Sequence, residues 1–482
     1  MTGALQKLDD PGARELARDL LARAPRELLA VDDIDLAPAL EQAIFAAFRA
    51  PPHRARALPT TFARVARAAL DGLLPDAPMH GSDLLVVLLN SVHLQVFAPV
   101  RAALAEMAPN LRVGFVRVSR AAADTRAADL PRADRHLARR KIPALFRFAS
   151  RRPRIEASLR DAWAPRVGAP AAGRLAGLAG DSLVRLGIEG LQLDAVLQAA
   201  RPRVVATYDE INAYSRLLPV LADRHGAVCL DLPHAEAANP HAISGVRYDW
   251  MAVFGRRAAE VLATSGFPPD RVVEVGAARF ETLLKRHAAA PDSPPRIVMA
   301  AQSETGPMTR QTRARILQIA VAAAAAVRPA VVQVRPHPVE SAKAWVEIVS
   351  SAERQARVEV RIEEAELHEL LPGAFALVTG WSNSVFEAVI AGVPAITAHV
   401  TPGAPVASFA AEGIALQATS ENEAAAIAER LSDAAERGQV LSAARERLEP
   451  HLGPLDGQAA YRTAALIKRL SEPARASGSP RE

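Results

Sequence analysis

Residues 375–394 decide how the second half of the chain folds. Phe375-Ala376-Leu377-Val378-Thr379 is a short apolar run that reads as a buried strand. Gly380-Trp381-Ser382-Asn383-Ser384 is a polar loop, Val385 to Ala391 an apolar helix, and Gly392-Val393-Pro394 a helix stop leading into a further strand. Strand, loop, helix and strand in that order make the repeating unit of a parallel α/β sheet. In such sheets ligands bind beyond the carboxyl ends of the strands, which directs attention to the loop.

The same alternation extends on both sides. Behind the strand 375–379 lie apolar runs at 296–301, 330–334 and 358–362, and beyond it runs at 395–398 and 414–417. An earlier series reads as strands at 84–89, 112–118, 203–208, 227–232, 250–254 and 272–276, with helices between. Ala288-Ala289-Ala290-Pro291-Asp292-Ser293-Pro294-Pro295 separates the two series as a linker. The expectation is an α/β protein of two Rossmann-like lobes facing a cleft, with an extra helical region in front. Its predicted divisions are a helical region 1–80, an N-terminal lobe 81–290 carrying a basic insertion 117–160, a C-terminal lobe 291–470 and a disordered tail 471–482. The Gly/Ala/Pro-rich stretch 168–180 reads as a flexible connection.

Composition removes several classes. Half of the 482 residues are hydrophobic, which excludes wholesale disorder, and aromatics are only 4%, so Ala, Val and Leu make the core. Cys229 is the one cysteine, which excludes a disulfide framework and a thiolate zinc site. The first ten residues have no basic start followed by an apolar run, and the longest strongly apolar stretch, Leu84 to Leu89, falls far short of the ~20 residues a membrane helix needs. The chain reads as cytoplasmic. Its net charge is +5, yet residues 117–160 hold thirteen basic and four acidic residues, a local +9. That segment has two readings: a solvated Arg-rich face, or a peripheral contact with anionic lipid at the inner face of the cell membrane or with an acidic acceptor. Nucleic acid is disfavoured, because aromatics are few there and no recognition motif is present.

The candidate site residues come from the loops at the strand ends. Ser382, Asn383 and Ser384 open a helix, where free N–H groups, hydroxyls and the positive end of the dipole suit a phosphate, or serve as a plain cap. Arg335-Pro336-His337-Pro338 aims an imidazole between two stiff prolines, with a permanent cation beside it. Gln302-Ser303-Glu304-Thr305-Gly306 is a polar loop at the same sheet end. In the first half, His234 follows a strand and can serve as a general base, while Asp209 in the turn Tyr208-Asp209-Glu210 is either a second catalytic group or a helix cap. There is no P-loop, no G-x-G-x-x-G and no D-x-D for a metal-bridged diphosphate, so no metal and no cofactor are called for.

Residues 203 to 420 resemble the GT-B glycosyltransferases of bacterial surface polymers, the branch of CDP-glycerol glycerophosphotransferases and capsule polysaccharide transferases. The matches stand in order: an acidic turn at Asp209, Leu232-Pro233-His234, Val253-Phe254-Gly255 and Val273-Glu274-Val275-Gly276-Ala277-Ala278-Arg279-Phe280. Ala301-Gln302, Arg335-Pro336-His337-Pro338 and Ser382-Asn383-Ser384-Val385-Phe386-Glu387-Ala388 before Gly392-Val393-Pro394 complete the series. The resemblance implies a metal-independent transfer of a sugar or polyol phosphate from a nucleotide-activated donor to a glycan or lipid-linked acceptor. His337 and Ser382–Ser384 would contact donor phosphates, Gln302 and Arg335 would line the same site, and Glu387 would hold ribose hydroxyls. His234 stands where the family has a cleft histidine, although the family writes Gln-His-Gly and this chain has Pro233-His234-Ala235. Two alternatives stay open: a non-catalytic nucleotide-binding scaffold, and a nucleotide-sugar 2-epimerase. The epimerase motifs H-R-R-E-N and D-S-G-G-x-x-E-E are replaced here by Gln302-Ser303-Glu304-Thr305 and Gly380-Trp381-Ser382-Asn383-Ser384.

Overall fold

Five consecutive residues buried on both faces, Leu84 to Leu88, mark a central strand of a parallel sheet, and the computed structural model places them so. The structure describes residues 10–49, 61–72, 80–89, 91–118, 130–137, 139–209, 211–235, 240–284, 292–304, 308–338, 340–356, 358–400 and 409–472. A short antiparallel pair, β1 (Ala30–Val31) and β2 (Ile34–Asp35), precedes the first sheet. That sheet is built from β3 (Leu84–Leu88), β4 (Val113–Arg117), β5 (Val204–Thr207), β6 (Val228–Asp231), β7 (Trp250–Val253) and β8 (Val272–Glu274). The second comprises β9 (Arg296–Ala300), β10 (Val331–Arg335), β11 (Glu359–Ile362), β12 (Ala376–Thr379), β13 (Ala395–Ala398) and β14 (Leu416–Ala418).

All neighbours in both six-stranded sheets are parallel. The first runs β4-β3-β5-β6-β7-β8 and the second β11-β10-β9-β12-β13-β14. In the second sheet the chain therefore reverses direction of travel between β9 and β12, which is the doubly wound nucleotide-binding order and fixes where a crevice opens. The first sheet reverses at β3, with β4 on one side and β5 on the other.

The chain divides into two units, one of Met1–Val253, Ala258–Val275 and Ala460–Glu482, the other of Phe254–Arg257 and Gly276–Ala459. Three boundaries differ from those expected: the second unit resumes at Gly276, where the N-terminal lobe was expected to run to 290, and it also takes in Phe254–Arg257. Residues 1–80 do not form a region of their own, because Leu16, Leu20, Leu40 and Phe45 share one apolar core with Leu145, Trp163, Leu183 and the sheet residues Leu85, Val87 and Val205. The helix Ala459–Ser471, expected in the C-terminal lobe, belongs from Ala460 to the first unit. Arg462 Nε donates to the Val275 carbonyl at 2.9 Å, and the Arg469 guanidinium lies 5.2 Å from the Trp250 ring centre. An amphipathic helix announces an apolar face, but not which sheet will cover it.

The stretch 168–180 is no flexible connection: it opens the 32-residue helix Ala169–Ala200. Its glycines serve close packing. A Cβ on Gly180 would lie 2.6 Å from Glu156 Oε1, and one on Gly187 would lie 3.0 Å from the Phe148 ring. Composition alone scored these residues as loop formers, whereas neighbouring helices use their lack of side chain.

Three of the thirteen basic residues in 117–160, Arg132, Lys141 and Arg152, make ion pairs inside the unit. Lys141 pairs with Asp32 and lies 3.9 Å from Asp194, Arg132 pairs with Asp134 at 2.6 Å, and Arg152 reaches Glu156 at 2.6 Å and Asp181 at 3.0 Å. Residues 119–129 and 138 lie outside the described residues. Among the described residues no helix is long and apolar enough to cross a membrane.

A buried polar knot ties the N-terminal helices to the turns that precede and follow the strand ends. Gln42 Oε1 accepts from Arg14 Nη2 at 2.8 Å and Arg216 Nη2 at 3.3 Å, while its Nε2 donates to the Ile211 carbonyl at 2.5 Å. Burial, and next the charge of Arg216, push the Arg14 guanidinium down to about 10. Gln42→Leu would leave two buried cations short of an acceptor and should destabilise the protein by about 1–3 kcal/mol. A lowered urea midpoint with unchanged slope is the expected readout.

Candidate functional site

In the second unit the loops following β9, β10 and β12 are bonded to one another at the reversal point. Gln302, just after β9, accepts through Oε1 from the Trp381 backbone N–H at 2.9 Å, just after β12. A Cβ on Gly380 would fall on that same Gln302 oxygen and 3.1 Å from Met308 Cε, so the glycine leaves room for the Gln302 side chain to reach the Trp381 N–H. Thr379 Oγ1 donates to the Ala300 carbonyl at 2.9 Å, pinning the strand ends beneath. Glu304 N, in the loop after β9, donates to Glu340 Oε1 at 3.2 Å, which brings in the third loop, the one after β10.

The helix that was expected to offer free N–H groups is short, Ser384–Ile390. Its first turn largely closes on itself: Ser384 N donates to Ser382 Oγ at 3.2 Å, Val385 N to the Ser382 carbonyl at 3.2 Å and Phe386 N to the Asn383 carbonyl at 3.0 Å. Ser382 is thus a cap for its own turn, and Asn383 makes no side-chain cap bond. Ser384 is 5% exposed, and its Oγ has no hydrogen-bond partner among the described residues.

Arg335 is turned inward. Its Nη2 pairs with Glu366 at 2.9 Å, Nε donates to the Ala365 carbonyl at 3.2 Å and Nη1 to the Pro336 carbonyl at 2.5 Å. The guanidinium expected beside a ligand instead braces the backbone around His337. That imidazole is half-buried, and burial holds it below its ordinary value, Glu340 opposing and Arg335 adding. His337 is therefore neutral near pH 7. Its loop is tied to the one after β9 through Arg313, a 3% exposed residue whose Nη1 meets Glu340 at 2.8 Å and Nη2 meets Glu304 at 3.1 Å. Nothing in the local pattern of the helix Arg310–Ala326 marked Arg313, since it stands among other arginines. Thr305 and Gly306 lie outside the described residues.

Glu387, one turn into the short helix, pairs with Arg279 Nη2 at 3.3 Å. Burial raises its carboxyl above the usual range, with Arg279 the chief opposing influence. Arg279 and Glu387 stood in two separate motifs of the sequence, and the fold joins them across 108 positions.

In the first unit Asp209 is 2% exposed and fully occupied: Oδ1 accepts from Ile211 N at 3.3 Å and Asn212 N at 3.1 Å, and Oδ2 from Asn212 Nδ2 at 2.6 Å. This is the cap of its own turn, the simpler of the two readings of that residue. His234, partly exposed, has its ring centre 5.3 Å from that of His93, which in turn lies 5.7 Å from Tyr208. No local pattern in the sequence marks His93, one histidine in a largely apolar helix. Glu210 and Glu236 lie outside the described residues.

The fold is GT-B-like, an α/β architecture of two parallel six-stranded sheets. Residues 185–399 match a family model described as "Putative glycosyltransferase (DUF6716)". No curated protein matches the sequence. A solved structure described as a "putative UDP-N-acetylglucosamine 2-epimerase from Listeria monocytogenes" is similar with a TM-score of 0.52 at 14% identity, over 80% of this chain and 96% of that one. A UDP-N-acetylglucosamine 2-epimerase reaches 0.51 at 12% identity over 84% and 100%. The S. aureus MnaA–UDP co-structure reaches 0.50 at 13% identity over 80% and 96%. At these identities the likeness concerns the fold.

Proposed function

We propose that the protein is a glycosyl- or polyol-phosphate transferase that draws on a nucleotide-activated donor to build a bacterial surface polysaccharide or glycoconjugate. The observation that carries this reading is the set of three loops, after β9, β10 and β12, bonded together at the reversal point of a nucleotide-binding strand order. The glycosyltransferase family model over 185–399 supports the transferase class, and one of the similar structures was solved with UDP.

In this reading the nucleotide diphosphate lies over the loops of the second unit. His337 donates to a phosphate oxygen, Glu387 accepts from the ribose hydroxyls, and Ser384 Oγ gains the partner it lacks. His234 takes the proton of the acceptor hydroxyl as its oxygen bonds to the transferred group, the bond from that group to the nucleotide phosphate breaks, and the nucleotide leaves with the electron pair. Asp209 and Arg335 act through the loops they brace. No step calls for a metal or a resident cofactor. The basic stretch 130–160, with Arg139, Arg147 and Arg154 exposed, would face the anionic acceptor or the lipid that carries it at the inner face of the cell membrane.

A thermal-shift panel of UDP-, CDP-, CMP- and GDP-linked compounds should show one nucleotide that stabilises the protein. His337→Ala should weaken that nucleotide by about tenfold or more. An unchanged affinity would show the donor site to be elsewhere. Because burial holds His337 below its ordinary value without ligand and a bound phosphate would raise it, binding near pH 6 should take up a proton and tighten as pH falls from about 7.5. Calorimetry in buffers of different ionisation enthalpy measures that uptake directly, and its absence in His337→Ala assigns it.

A further inference from the structure

We infer that His93 is the positioning residue of the first unit, holding the His234 ring in one orientation and confining the abstracted proton to it. The inference rests on the transferase reading and adds a residue to it.

His93 is placed by the fold at the reversal point of the first sheet. It is the third residue of the helix Ser91–Met107, which follows β3 directly. It is 4% exposed, and its Nδ1 accepts from the Leu89 backbone N–H at 3.4 Å. An imidazolium carries protons on both nitrogens and cannot accept, so the ring is neutral with its proton on Nε2.

The surroundings keep the ring still. The Tyr208 ring is tilted 49° against His93, Phe97 packs edge-on to Tyr208 at 6.3 Å, and Phe115 edge-on to Phe97 at 5.7 Å. In a chain with only 4% aromatic residues, three rings in one row from the edge strand to a pair of histidines form a wall rather than a scatter. His234 lies at the solvent end of the row, tilted 42° against His93. Among the described residues the titratable groups beside this row include Tyr208, whose hydroxyl burial and then Asp231 push up, and Asp231 itself, 3% exposed at the end of β6. Tyr208 therefore stays protonated.

Two neighbouring histidines would repel if both were charged, and a pair sharing a proton would have no defined base. Here one ring is locked neutral by a backbone donor, so a proton arriving from the acceptor resides on His234, the member open to solvent, and can leave from there.

The test uses the full chain, His93→Phe to keep ring volume and His93→Asn to keep an acceptor for Leu89 N–H. The probe is slow hydrolysis of whichever donor stabilises best in the nucleotide panel, water acting as the acceptor. His93→Phe should lower kcat by about tenfold or more and move the acid limb of its pH profile, with the nucleotide Kd unchanged and partial rescue by His93→Asn. Side-chain 15N spectra of the free protein should show His234 as one tautomer in the parent and a mixture in His93→Phe. An unshifted pH profile and an unchanged His234 tautomer would overturn the role of His93. Loss of nucleotide binding by the parent protein would instead overturn the transferase reading, and the 15N spectra would still decide the fate of this one.

Discussion

Gly255→Ala should destabilise the protein by about 2–3 kcal/mol, with a clear fall in the denaturation midpoint. A Cβ at Gly255 would lie 2.7 Å from both Gly453 N and the Pro450 carbonyl oxygen, and 3.0 Å from the His451 carbonyl carbon. All three neighbours are backbone, so no side chain can swing away. The contact is reciprocal, because a Cβ on Gly453 would stand 2.5 Å from the Phe254 oxygen and 3.1 Å from Gly276 Cα. Gly453 also has φ +70°, which an alanine tolerates poorly. Three segments of the second unit thus meet backbone to backbone, and around them Phe254, Phe280, Leu448 and Leu452 share one apolar core. An unchanged midpoint in Gly255→Ala would mean that these segments separate at little cost. Gly453→Ala, strained as well as crowded, serves as the stronger control.

Glu387→Gln should raise stability at neutral pH while weakening nucleotide binding by about tenfold or more. Burial raises the folded carboxyl above its unfolded value of 4.5, although Arg279 works against the shift. Between those two values the folded state binds more protons than the unfolded state, so stability falls as pH rises through that window. The neutral amide removes this dependence and behaves like the protonated acid at every pH. A largely buried carboxylate that costs stability is expected where a ligand uses it, and in the proposed reading two ribose hydroxyls are that ligand. Thermal unfolding at pH 4 and pH 7.5 with and without nucleotide separates the two effects. Should the glutamine variant be less stable at pH 7.5 than the parent, the pair with Arg279 would outweigh the burial of Glu387.

The polar loops at the strand ends are legible along the chain, because each follows an apolar run that ends abruptly in polar residues. Gln302, His337 and Ser382–Ser384 stand in such loops, and the structure gathers those loops. Their individual tasks were less legible. Asp209 and Arg335 have residue types suited to a ligand, yet both spend their polar atoms on nearby backbone and side chains. Charge and loop position are local properties, whereas the choice between a ligand and a neighbouring turn depends on which atoms lie within 3 Å. His93 and Arg313 left no signal at all, being one histidine in an apolar helix and one arginine among several.

By itself the sequence determined the alternation of strand and helix, the two series of parallel strands, the placement of polar loops at their carboxyl ends and the absence of a disulfide framework. These follow from hydrophobic periodicity and residue count, which act over a few residues. Only the tertiary structure decided the strand orders and with them the two reversal points, the return of the helix Ala459–Ser471 to the first unit, and the meetings of Arg279 with Glu387 and of His93 with His234. Those pairings join residues more than a hundred positions apart, and packing of whole layers sets them, with no local pattern to announce the partner.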